Sequence, residues 1–202
     1  MKPLFVAALL LAAGAQPVLA ESCEEKFVRL LVDGNPDFGP MRIHTFSEIK
    51  GVYKSESYNY SRGDGSIDSM TTVVTPENSP WSLFLGKKMW MSTDKGESWT
   101  FVRELDAQSD PKAVKEALRK DAGTAANVSC GAEEVEGVMH DTVEGDYNSS
   151  GLQGAVAHQK YWVNPDSGLI AKTFIATNAN GTQSEFVEYI EKWPDLVLPN
   201  PE

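Results

Sequence analysis

The chain has 202 residues, of which 18 are basic and 29 acidic, for a net charge of −11 at neutral pH. That balance argues against nucleic acid as a partner, because phosphate binding needs clustered positive charge, and it disfavours broad adhesion to anionic lipid. The length suits a single domain with a core of its own.

Met1-Lys2 opens a short positive segment, and Leu4 to Ala13 follows as an uncharged apolar run. Gln16-Pro17 breaks that run, and Val18-Leu19-Ala20 ends it on small residues. This pattern predicts an export leader over residues 1–20, cleaved after Ala20, and a periplasmic or secreted product. The apolar run is about half the ~20 residues that a spanning helix requires. Glu21, just before Cys23, speaks against lipid attachment at that cysteine. With Lys2 gone, the domain over 21–202 is more acidic still.

Ser22 and Glu25 have capping-box spacing, and Phe27, Val28, Leu30 and Leu31 share a broad helical face. The spacing predicts a helix over 22–32, stopped by Asp33-Gly34-Asn35-Pro36. From Met41 the pattern turns β-branched and aromatic, giving expected strands at 41–49, 52–60, 67–75, 81–85, 88–91 and 97–105. Gly51, Arg62-Gly63-Asp64-Gly65, Gly86-Lys87 and Asp94-Lys95-Gly96 supply turns. Asp110-Pro111 starts a second helix as N-cap and first helical residue, and Gly123 ends it. Further strands are expected at 135–147, 156–163, 169–177 and 184–191, before a proline-rich tail from Pro194. No repeat, composition shift or low-complexity segment divides the chain. The order implies an α+β domain, an antiparallel sheet with a few helices on one face.

Two cysteines, Cys23 and Cys130, permit one intramolecular disulfide, which an oxidising compartment favours. It would clamp the first helix to the middle of the sheet. A metal site from two such distant cysteines is much less favoured, with no CxxC and no histidine pair.

A search for catalytic chemistry yields little. No nucleophile elbow, zinc-protease helix, phosphate loop or dinucleotide fingerprint is present, and no motif implies a cofactor or metal. His44, His140 and His158 read as ordinary sheet residues, since His140 and Asp141, adjacent in a strand, point to opposite faces. The Arg62-Gly63-Asp64-Gly65 turn reads as a plain hairpin, not a calcium loop. Asn59, Asn127, Asn148 and Asn180 sit in glycosylation patterns that matter only in a glycosylating host. A hydrolase built from the Asp- and Glu-rich loops lacks a visible nucleophile and base.

The distribution of aromatic residues is more informative. Strands with apolar groups on both faces must cover both, and a curved sheet does this with helices on one side and a groove left over. Trp81, Phe84, Trp90, Trp99, Phe101 and Trp162 are the candidate lining of such a groove. The plain alternative is a filled core with scattered surface aromatics.

Three segments carry a resemblance. Phe84 to Trp99 is similar to a hairpin with a tryptophan in each strand about a short polar turn. Tyr161 to Lys172 resembles a W-V-D-P-x-T-G-L-P-x-K hairpin, with Asn164, Ser167 and Ile170 replacing Asp, Thr and Pro. Val128 to Gly137 looks like a G-x-E-x-V-x-G strand opening. Together they resemble the LolA/LolB/LppX/RseB-like group of exported half-barrel proteins. The resemblance implies a half-barrel of about ten or eleven strands with helices covering the concave side. It also implies a non-catalytic periplasmic protein that binds a lipid or lipoprotein acyl chain there. The alternative is an envelope interaction or sensor module, with a protein partner and a groove filled by its own helices.

Overall fold

The structure, a computed structural model, describes residues 21–35, 38–106 and 110–201. The leader expected over 1–20 lies outside them.

Helix α1 runs Cys23–Asp33 and starts as its sequence demands. The Glu25 amide donates to Ser22 Oγ at 3.2 Å, and the Ser22 amide donates back to Glu25 Oε2 at 2.8 Å. Two otherwise orphaned donors are thereby satisfied. Helix α2 runs Pro111–Ala122, with Asp110 accepting from the Lys112 amide at 2.9 Å.

The strands are β1 (Met41–Ile49), β2 (Tyr53–Ser61), β3 (Ser69–Thr75), β4 (Trp81–Leu85), β5 (Lys88–Ser92) and β6 (Thr100–Glu104) before α2. After it come β7 (Ala126–Val135), β8 (Val138–Ser149), β9 (Ala155–Val163), β10 (Ile170–Ala179) and β11 (Thr182–Lys192). A short 3₁₀ turn, Ser150–Leu152, joins β8 to β9. All eleven form one antiparallel sheet in the order β6-β5-β4-β3-β2-β1-β11-β10-β9-β8-β7. The ends β6 and β7 do not pair, so the sheet stays open as a half-barrel, the α+β architecture expected from the sequence.

The strand expected over 135–147 begins at Val138 as β8, and a further strand, β7, precedes it. Glu136 and Gly137 both have positive φ, 50° and 82°, and form a two-residue turn between β7 and β8. Such turns match the twist of the strands they join. β7 escapes the periodicity because it is an edge strand, exposed along nearly all its length.

Register separates the two faces. Val143, Tyr161, Thr173, Glu188, Thr45 and Ser57 are successive cross-strand partners and lie on the side that carries the helices. His140 and Asp141 take opposite faces, as expected: Asp141 meets Lys26 of α1 at 3.0 Å.

The core sits where α1 crosses β7, β8 and β9. Phe27, Leu30 and Leu31 bury against Val143, Tyr147, Ala157, Tyr161, Val163 and Ile170. Burial pushes the Tyr161 hydroxyl pKa well above its ordinary value. Polar ties fix the helix ends. Asn35 donates to the Ile170 carbonyl at 3.0 Å and accepts from the Ile170 amide at 2.7 Å. Asp121 at the end of α2 accepts from the Ser150 amide and hydroxyl at 3.1 and 3.2 Å.

Cys23 and Cys130 are joined as a disulfide, with Cα atoms 5.7 Å apart and 107 residues between them in sequence. Cys130 lies on β7, so the bond clamps α1 to the edge of the sheet and not to its middle.

Candidate functional site

The six aromatic residues expected to share a groove do not line one surface. Trp81 and Trp90 lie on the face away from the helices: Leu83 pairs with Trp90, and Trp81 with Ser92. Phe101 joins them as the partner of Trp90, edge-on with ring centroids 6.1 Å apart, and is itself 52% exposed. Phe84, one position from Leu83, faces the helix side. Trp99, expected inside a strand over 97–105, instead precedes β6, in the loop after β5. Trp162 stands on β9, with β10, β11, β1, β2 and β3 between it and β4. Its indole N–H donates to Glu133 Oε2 at 2.9 Å, and Lys172 lies over its ring at 4.5 Å. The Lys160 ammonium and this indole bonded to Glu133 hold that carboxyl below its ordinary pKa.

The loop between β5 and β6 is organised by Asp94. Its carboxylate accepts from the Ser98 hydroxyl at 2.5 Å, the Ser98 amide at 2.9 Å and the Ser92 hydroxyl at 2.7 Å. The Ser92 hydroxyl oxygen in turn accepts from the Gly96 amide at 2.7 Å. A Cβ on Gly96 would stand 3.1 Å from the Trp81 ring, and φ there is +93°, so glycine is required on both counts. Trp81 and Trp99 both bury their indole N–H without an acceptor, so packing and not polar contact holds them.

Hydrogen bonds from Ser98 and Ser92 depress the Asp94 pKa from 3.8 to about 2. A depressed folded-state value contributes stability above pH 3.8 and loses it as pH falls towards 2. Asp94→Asn should therefore flatten the fall of stability across that interval relative to wild type, as followed by thermal melts at a series of acid pH values. An unchanged acid profile would show that this loop does not feed into global stability.

A groove is found elsewhere, on the helix side. A cleft of about 690 Å³ lies between the start of α2 and the β2–β3 and β4–β5 turns, with Ile67, Leu105, Pro111 and Ala113 as its apolar wall. A second, of about 460 Å³, continues towards α1 and is walled by Val32, Val114 and Leu118. Ser66, Ile67 and Pro111 belong to both. Val114 is 46% exposed although it sits on the apolar side of α2. Asp68 on the rim accepts from the Gly86 amide at 2.6 Å and so ties the two turns together. None of the six expected aromatic residues is among the lining of either cleft. The signal for the groove in the sequence is the four-residue spacing of Val114 and Leu118, which marks an apolar stripe without saying what covers it.

Among the described residues, no group of three or more His, Cys, Asp or Glu is placed to hold a metal ion, and no helix is long and apolar enough to cross a membrane. The groove offers an apolar wall with a polar rim.

No family model and no curated protein matches the chain. Solved structures do. One is a LolA superfamily protein from Nitrosomonas europaea, at 12% identity and TM-score 0.37, covering 86% of this chain and 94% of that one. Another is an outer membrane lipoprotein-sorting protein domain from Vibrio parahaemolyticus, at 10% identity and TM-score 0.36, covering 86% and 95%.

Proposed function

We propose that the protein is an exported, non-catalytic holder of an apolar ligand, a lipid or lipoprotein acyl chain, taken up in the groove beside α2. The observation that carries this reading is the continuity of the two clefts through Ser66, Ile67 and Pro111. Their individual volumes fall in the ordinary range of ligand sites, about 300–1,000 Å³. The groove follows α2, whose 12 residues span about 18 Å. An extended chain lying along it would leave water with about 0.8 kcal/mol gained per buried methylene. Val32, Ile67, Leu105, Val114 and Leu118 are the contact residues of this proposal. The disulfide fits an oxidising compartment such as the periplasm.

Val114→Asp tests it. A carboxylate at the groove wall must lose water to admit an acyl chain, which costs several kcal/mol, while the half-exposed position leaves the fold intact. Native mass spectrometry of protein purified from cell envelopes should show a bound lipid in wild type and none in the variant. Lipid-free wild type, or equal loading of the two, would count against the carrier reading.

The second reading is an envelope interaction or sensor module with no small ligand. It is favoured by the packing beneath α1, where Phe27, Leu30 and Leu31 are buried against the sheet. Lipid-free wild type that captures an envelope protein would favour it.

A further inference from the structure

The face away from the helices carries another cleft, of about 590 Å³. Its floor comes from β1, β2 and β11. Tyr58 pairs with His44, and His44 with Tyr189, while Phe46 and Arg42 flank His44 along β1 on the same face. The rings are layered. His44 stacks on Tyr58 at 4.2 Å and 18°, Phe46 lies 4.3 Å from His44, and Tyr189 meets Phe46 edge-on at 6.3 Å. The opposite wall is the β7–β8 turn, with Val135, Glu136, Val138 and His140. Strands β1, β11, β10 and β9 stand between β2 and β8, and the cleft is lined from both ends of that span.

The polar chemistry of this space is one-sided. Arg42 Nε donates to Glu191 Oε1 at 2.6 Å, and its guanidinium also lies over the Trp193 ring at 4.2 Å. His44 Nε2 donates to Glu56 Oε1 at 2.8 Å. His140 is 95% buried, at 5% exposure, and its Nδ1 donates to the Val138 carbonyl at 2.8 Å. In the neutral imidazoles those bonds leave His44 Nδ1 and His140 Nε2 as acceptors, and Glu191 Oε2 is a third. The guanidinium in the cleft is already paired with a carboxylate, and the Lys172 ammonium beside it lies over the Tyr189 and Trp162 rings, at 5.2 and 4.5 Å. A plain acyl chain would bury the acceptors without satisfying them.

Aromatic faces beside these acceptors, with Arg42 held by a carboxylate and Lys172 by ring faces, suit a neutral ring that is apolar on one face and bears hydroxyl donors at its rim. We propose that this cleft binds a saccharide, with a pyranose ring on Phe46 and its hydroxyls donating to His140 Nε2, His44 Nδ1 and Glu191. The site is separate from the groove beside α2, and each can fail without the other.

The test is a titration of the purified protein with N,N′,N″-triacetylchitotriose and with maltotriose, read by calorimetry and by saturation-transfer NMR, with choline as a competitor. At least one sugar should bind saturably. Phe46→Ala, at a position 40% exposed and therefore safe for folding, should weaken that binding roughly tenfold. His140→Leu, which removes an acceptor, should weaken it comparably, while Val114→Asp should leave it unchanged. Failure of both sugars to bind wild type would overturn the proposal. So would undiminished affinity in Phe46→Ala, or displacement of the sugar by equimolar choline.

Discussion

A Cys23→Ser/Cys130→Ser double variant should lose about 4 kcal/mol of unfolding free energy, because the bond closes a loop of 107 residues. In the chain-entropy model, the cross-link removes many open conformations from the unfolded ensemble and few from the folded one. At roughly 2–4 °C per kcal/mol for a domain of this size, the melting temperature should fall by about 10 °C. The native contacts give no reason for a larger loss. Phe27, Leu30 and Leu31 still hold α1, and β7 keeps its ladder with β8. Denaturant melts of the variant, and of wild type with and without a reductant, supply the check. Reduction should reproduce the double variant. A loss below about 1 kcal/mol would mean that the reduced unfolded chain is already compact near these residues.

The same bond shows what a single sequence can reveal. With two cysteines the pairing is arithmetic, but the place of Cys130 in the sheet is not, and the residue lies at an edge. Helix starts were readable because their signals are local: Ser22 with Glu25, and Asp110 with Pro111. Turns were readable where glycine or asparagine punctuates an apolar run, as at Asn164 to Gly168, where Asn164 Oδ1 accepts from the Asp166 and Ser167 amides. β7 was not, because an exposed edge strand has no buried face to impose a period of two.

The binding surfaces depend on long-range topology, and local pattern gave poor guidance there. Large aromatic residues attract attention by size, yet register decides where they point. Phe84 and Leu83 are neighbours on opposite faces, and Trp162 belongs to a different part of the sheet from Trp90. The groove beside α2 is walled by aliphatic residues from a turn, a strand end and a helix, Ile67, Leu105 and Val114. No periodicity links these three; only the path of β3, β6 and α2 brings them together. The layered rings of Tyr58, His44 and Tyr189 are likewise partners across β2, β1 and β11, the last of which is far from the other two in the chain.

Phe27→Ala should cost about 3–5 kcal/mol, the range for removing a fully buried aromatic ring. Phe27 has no exposed surface and meets Tyr161 edge-on at 6.0 Å. Its ring also approaches the backbone at Gly145, where an added Cβ would stand 3.3 Å from Phe27 Cε2 and 3.0 Å from Val128 Cγ2. The sheet has thus given up a side chain at Gly145 to admit the ring, and β8 has no replacement to fill the cavity. Because the disulfide and Phe27 hold the same helix to the same strands, their effects should not add. With the bond intact, α1 stays tethered after Phe27→Ala, and the cost is that of the cavity. With the bond removed as well, α1 can leave the sheet and expose Leu30 and Leu31 together. Amide exchange should then show α1 opening at a free energy below that of the β9–β10 ladder, whereas in Phe27→Ala alone the two should open together. Equal protection of α1 and β9 in the triple variant would show that Leu30 and Leu31 suffice to dock the helix, and the coupling proposed here would be absent.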